Sequence, residues 1–200
     1  MLAAITPSQP VHALIATRRS PYQFSGEAVP AETLRSLFEA ARWSPSCYNE
    51  QPWAYIVARC EDGEAFARLL SCLVEPNQVW AKEAPVLALG LAHTAFTRNG
   101  NPNVHAPHDL GAASAYLTVE ATARGLYVHQ MGGILPDRAR ELYHVPVDWQ
   151  ILTGIAIGKL GNPADLPDAY RQRDTNTPSR KPLTDFVFTD DFARTSPFLA

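Results

Sequence analysis

Two hydrophobic patterns alternate along this chain, a helical repeat and near-continuous apolar runs, and their order lays out its elements. After Pro10, Val11, Leu14 and Ile15 fall at helical spacing, and Pro21 stops that helix once it has delivered Thr17, Arg18, Arg19 and Ser20. Residues 29–43 predict a stronger helix: Pro30 suits a first turn, Glu32 sits at the positive end, and Leu34, Leu37, Phe38 and Ala41 share one face. A loop follows, Pro52 fixes the start of a strand with Trp53 buried, and Ala54–Ala58 carries strand propensity. Phe66, Leu69, Leu70 and Leu73 mark a helix over about 62–74.

The apolar runs 85–92 and 151–158 predict interior strands covered on both faces, hence helices on both sides of a sheet. Between them, 94–107 is dense in turn formers and reads as an exposed loop. Asp109 is placed to cap a long helix that ends near Arg124, with Gly125 as its stop. The small residues Gly111, Ala112, Ala113, Ala115, Ala121 and Ala123 let a neighbouring helix approach it closely. The segment 127–133 comes next, then a short helix over Pro136–Tyr143. Residues 161–178, with three prolines, read as an extended surface arm, and Phe186–Phe188 is strand-like.

Composition narrows the function. An apolar content of 46% over 200 residues supports one buried domain spanning 1–200, with 1–9 as an N-terminal tail and 161–200 as an extended C-terminal arm. A formal charge of −3, from 17 basic and 20 acidic residues, gives no broad cationic field, so nucleic acid is not the expected partner and a small molecule is. The first twenty residues lack the basic start and unbroken apolar run of a secretory signal, and no stretch reaches the roughly 18 apolar residues of a membrane span. Cys47, Cys60 and Cys72 form neither a disulfide framework nor a Cys-x-x-Cys pair, which fits a reducing cytoplasm.

Several motifs fail on their own chemistry. Gly154 to Lys159 has only three residues between its glycines and Leu160 where a P-loop needs Ser or Thr, and Gly132-Gly133 is no dinucleotide fingerprint. His105, His108 and Asp109 could supply three metal ligands, but Pro107 argues against a helix presenting both imidazoles, so no metal is expected. Cys47 as a nucleophile has no assignable His partner.

Three polar constellations remain: Arg18-Arg19-Ser20, Ser46-Cys47-x-Asn49, and Arg180-Lys181. Pro45-Ser46-Cys47-x-Asn49-x-Gln51-Pro52-Trp53 resembles the Pro-Ser-Ser-x-Asn-x-Gln-Pro-Trp signature of the FMN-dependent nitroreductase family. The likeness extends to Asp109-Leu110-Gly111-Ala112-Ala113, to Gln130-Met131-Gly132-Gly133 and to Arg180-Lys181-Pro182-Leu183, and so covers roughly Val11 to Phe188.

The resemblance implies an α+β fold, a mixed sheet flanked by helices and dimerising through helices, with one FMN at each of two interface sites. It also implies NAD(P)H as donor, a nitroaromatic, quinone or related acceptor, and a ping-pong cycle in which no protein residue is nucleophile or dedicated acid. Carried over residue by residue, Arg18, Arg180 and Lys181 would meet the phosphate with Ser20 as a neighbouring donor and Arg19 elsewhere on the cofactor site, and charge-assisted bonds from guanidinium and ammonium suit that dianion. Pro45, Ser46, Cys47 and Asn49 would come from the partner subunit, and Gln130, Met131, Gly132 and Gly133 would bring backbone close to the ring. Two departures stand out: Cys47 replaces the second Ser, and Tyr22 stands where many members carry a base near the pyrimidine side of the flavin. Lys82 and Arg19 are candidates to supply that charge. The alternatives are a flavoenzyme of the same fold that oxidises or dehalogenates a specific metabolite, a non-enzymatic flavin carrier, and a metal hydrolase using the His105–Asp109 cluster.

Overall fold

The computed structural model describes residue 2 and residues 6–199. The expected tail at 1–9 lies partly outside these; residues 6–9 are exposed. In order come α1 (Ala13–Thr17), α2 (Ala31–Arg42), β1 (Trp53–Arg59), α3 (Gly63–Leu70), α4 (Glu75–Ala81), β2 (Val86–His93), α5 (Ala106–Ala123), β3 (Tyr127–Met131), α6 (Pro136–Tyr143), β4 (Trp149–Gly158) and α7 (Asp168–Thr175).

The strands form one sheet in the order β1-β2-β4-β3, and all three ladders run antiparallel. The expected mixed sheet is therefore corrected, within this chain, to an antiparallel one. Its apolar runs reflect cover on both faces rather than parallel neighbours. On one face Leu87, Leu89 and Ala156 pack with Leu69, Leu73 and Trp80 from α3 and α4 and the turn between them. On the other, Val86, Ala88, Ile155 and Ile157 pack with Leu34 and Leu37 of α2 and Ala113, Leu117 and Ala121 of α5. Opposite Gly90 and Leu91 the register skips Leu152, and this extra residue lets Ile151 and Ala156, of opposite parity, reach the same core.

Four expectations change. Trp53 is only half-buried, because it opens β1 between two apolar clusters. The long helix starts at Ala106 rather than beyond Asp109, since Pro107 fits a first turn and Asn103 Oδ1 accepts the His105 N–H at 3.2 Å. The arm at 161–178 contains α7, which starts directly after Pro167 and packs Leu166 and Tyr170 against the core. Phe186–Phe188 forms no strand; Phe188 makes a single bridge with Thr195. Among the described residues no helix is long and apolar enough to cross a membrane.

Where β4 ends, the chain is zipped to the segment that precedes α2. Ser25 donates its N–H to the Lys159 carbonyl at 3.1 Å, and Gly161 donates to the Gln23 carbonyl at 3.5 Å. Gly161 is required by this closeness, because a Cβ there would overlap the Phe24 carbonyl. Gly161→Ala is expected to lower stability by about 1–3 kcal/mol, as other forced overpacking does. Gly63→Ala, which meets nothing within 4 Å, is expected to leave stability unchanged or raise it. Thermal unfolding of both variants checks this, and equal melting temperatures would show that the zip is not tight.

Candidate functional site

The basic residues predicted from opposite ends of the chain do meet. Arg18, Arg19, Ser20, Arg173, Asp174, Asn176 and Arg180 line one small cavity of about 240 Å³. Arg18 leaves α1 in an extended conformation (φ −56°, ψ 132°) and donates through Nη1 to Ser20 Oγ at 3.1 Å. Burial, and then the positive charges of Arg180 and Arg19, hold the Arg18 guanidinium below its ordinary pKa. Such mutual repulsion is what a bound anion relieves. Lys181 lies beyond this cavity, on an adjoining groove with Arg180, Leu183, Phe186 and Phe198.

The backbone that carries Arg18 and Ser20 is fixed just downstream. Asp174 accepts the Tyr22 N–H at 2.9 and 3.0 Å through its two oxygens, and the Gln23 N–H at 3.2 Å. His129 Nδ1 lies 2.9 Å from the Pro21 carbonyl, which makes Nδ1 the protonated nitrogen. The Tyr22 ring is not among the side chains that line this cavity. It packs edge-on against Trp80 and His129 at 5.2 and 4.8 Å, and Arg173 lies 5.6 Å from its centroid. A cation thus stands beside Tyr22 on α7, whereas exposed Lys82 lies 4.0 Å from Glu83.

The second constellation is a separate, conformationally strained loop. Tyr48, Asn49 and Gln51 all have positive φ (53°, 56° and 51°), each costing on the order of 1 kcal/mol or more for residues with a Cβ. The loop holds because it is fastened at several points. Ser46 Oγ accepts the Gln51 N–H at 2.9 Å, and buried Asp109, one turn into α5, accepts the Cys47 N–H at 3.0 Å. Glu50 accepts the Thr97 N–H. Arg98 lies over the rings of Tyr48 and Phe96 at 4.4 and 5.3 Å. Pro45 lies between the loop's entry from α2 and Ser46. These contacts are to α5 and the 94–103 turn, and none of the loop residues lines the basic cavity. Asp109 also faces His108 Nδ1 at 3.3 Å, and among the described residues no group of three His, Cys, Asp or Glu is arranged to hold a metal.

The middle segment divides. Gln130 gives its amide to the Ser114 carbonyl at 3.3 Å and Thr118 Oγ1 at 3.1 Å, and the Met131 side chain is buried in the core. Gly133 is explained by its own chain: a Cβ there would overlap the Asn77 side chain, whose Nδ2 donates to the Gly133 carbonyl at 2.9 Å. Gln130 stays exposed on β3, and Gly132 opens onto free space. Sequence reasoning missed Arg173, Asp174 and His129. The polar helix α7 has no apolar stripe to announce it, and His129 lies in a strand read for the two glycines that follow it.

An antiparallel sheet covered by helices, a basic cavity between the segments 18–21 and 173–180, and a strained Ser-Cys-x-Asn loop define an α+β protein with a concentration of positive charge suited to an anion. The nitroreductase family model matches residues 15–159, and the chain belongs to that family. A Streptomyces coelicolor protein provisionally named NADH dehydrogenase/NAD(P)H nitroreductase is 26% identical over 186 residues, covering 80% of this chain and 87% of its own. Iodotyrosine deiodinase 1 of Sus scrofa is 24% identical over 193 residues, covering 82% of this chain and 66% of its own. Among solved structures, an oxidoreductase containing FMN superposes with a TM-score of 0.89 at 34% identity, covering 95% of this chain and 96% of that one.

Burial lowers the His129 pKa, and the Pro21 contact opposes this only in part. The unfolded imidazole titrates near the ordinary value of about 6.5, so the unfolded chain binds more protons below it. The stability His129 contributes is therefore present above that pH and is lost as pH falls towards the lower folded value. Asp174, raised mainly by burial, acts with the opposite sign in the carboxylate range, where stability is gained on acidification. Urea unfolding should show the parent losing more stability between pH 7.5 and 5.5 than His129→Gln does; equal losses would remove His129 from the account.

Proposed function

We propose that the protein is an FMN-dependent oxidoreductase that takes electrons from NAD(P)H and delivers them to a nitroaromatic, quinone or related acceptor. The observation that carries this reading is the convergence of Arg18, Arg19 and Ser20 with Arg180 on one cavity. Three guanidinium groups held against mutual repulsion fit a phosphate monoester dianion, and Ser20 adds a hydroxyl donor. Lys181, on the adjoining groove, reinforces the field. When bound, FMN would supply the redox chemistry, hydride and electron transfer between the nicotinamide and the acceptor in a ping-pong cycle. The chain's residues bind and orient: the arginines fix the phosphate end, the open Gly132 admits the ring's close approach, and Ser46, Cys47 and Asn49 present polar groups on a preset loop.

A homodimer completes the site in this reading. The two constellations sit apart in one chain, and α5 exposes an apolar row, Gly111, Ala115, Tyr116 and Ala123, opposite its buried one. The C-terminal segment leaves Phe186, Phe192 and Phe198 exposed at 56%, 91% and 77%. Burying such surface against a second copy would bring the partner's loop to the basic cavity. The free thiols of Cys47, Cys60 and Cys72 suit a reducing cytoplasm. The deiodinase relative favours a second reading, action on one specific metabolite. An enzyme of that kind would bleach with its own substrate and ignore nitro compounds.

The protein is expected to purify yellow, to release FMN on heating or acidification, and to bleach when NADPH is added without oxygen. A colourless protein that cannot be reconstituted with FMN would remove this function. Arg180→Ala is expected to weaken FMN binding about ten- to a hundred-fold, the worth of a charge-assisted contact, with the fold unchanged.

The shared site has its own test in co-expression of Arg180→Ala with Asn49→Ala. Random pairing makes about half the dimers mixed, each with one intact site in two, so about a quarter of parental activity should return. Mixed dimers as inactive as either variant alone would show that the two constellations do not meet across an interface.

A further inference from the structure

We propose that Asp174 is the positioning residue of the anion cavity, holding the Arg18–Ser20 backbone where those side chains and Arg180 can grip one phosphate. The inference rests on the phosphate reading above and deepens it. Arg18 to Gln23 belongs to no helix or strand after α1 ends at Thr17, so the placement of its side chains depends on what fastens it. Asp174 is that fastening on one side: although it is 7% exposed, both its oxygens are committed to the Tyr22 and Gln23 N–H groups at 2.9–3.2 Å.

Asp174 also lies on α7, the element that leads through Asn176 and Pro178 to Arg180, and all of these line the same cavity. A single carboxylate thereby sets the spacing between the two basic halves. A negative charge beside an anion site opposes binding unless it is used elsewhere, and here it is used on backbone N–H groups. Its role is therefore to place the arginines rather than to touch the ligand. Its neighbour Arg173, over the Tyr22 and Tyr170 rings at 5.6 Å each, reinforces the same junction.

Riboflavin, which has the ring but no phosphate, separates this role from general support of the fold. In the full-length protein, with flavin affinity measured by fluorescence quenching and folding checked by circular dichroism, the parent should prefer FMN to riboflavin. Asp174→Asn keeps the size but has one acceptor oxygen where the parent has two. It should lose about tenfold in FMN affinity and stay within about twofold for riboflavin. Asp174→Glu restores the charge on a longer stem and should recover part of the FMN preference, and it carries the test if the Asn variant does not fold. Affinities for both flavins that fall together, or FMN affinity that does not change, would overturn the proposal. A parent with no preference for FMN over riboflavin would overturn the phosphate cavity itself, and Asp174's role with it.

Discussion

The structure depends on one constraint: β2 has no face to give to water. Val86 to Ala92 is buried throughout, so both faces of the sheet must be covered, and the chain crosses repeatedly to supply helices on each side. Because β4 pairs with both β2 and β3, its last residues emerge beside the segment that enters α2. The Ser25–Lys159 and Gly161–Gln23 bonds then run the segment before α2 beside the exit of β4. Arg18 and Arg180 are neighbours for that reason, although no local signal in the sequence links them. The site is a consequence of where a doubly covered sheet allows its last strand to leave.

Much of this could be read before any coordinates. The helical spacing of Leu34, Leu37 and Ala41 and the runs 85–92 and 151–158 are physical signatures of burial, and they correspond to α2, β2 and β4. What could not be read was set by contacts distant in sequence. Asp168-Ala169-Tyr170-Arg171-Gln172-Arg173-Asp174-Thr175 is polar nearly all round, and its helix is held by Tyr170 against the core and by Asp174 on a backbone far away in the chain. Helix α4 lay between two stronger patterns and is secured by Trp80 among the rings of Tyr22, Phe24 and His129. The antiparallel sense of the sheet was hidden because a strand buried on both faces looks the same whichever way its neighbours run.

The glycines show how a pattern can be right about family and incomplete about cause. Gly132 and Gly133 stand together in a motif associated with close approach to a flavin ring, yet only Gly132 faces open space. Gly133 is needed because Asn77 and Val74 already fill the place a side chain would take, and its carbonyl receives both the Val74 N–H at 3.1 Å and the Asn77 amide. Its requirement is architectural, tying the start of α4 to the end of β3. The same distinction applies to Tyr22, whose ring is absorbed into an aromatic cluster with the Arg173 guanidinium beside it.

Both halves of the candidate site are costly arrangements for an isolated chain. Three residues of the Ser46–Gln51 loop sit in the left-handed region, and Arg18 is half-buried facing two other guanidinium groups. Folding alone gains nothing from either feature; each persists because neighbouring groups over-determine it, Asp109, Glu50 and Ser46 for the loop and Asp174 with His129 for the basic segment. Features that disfavour the free chain and are held in place by surrounding contacts concentrate at sites of binding. A ligand that neutralises the arginines removes the repulsion and binds only the folded state, so it stabilises the fold by mass action. Since the cavity is built from both ends of the chain, that stabilisation acts on the junction that closes the molecule.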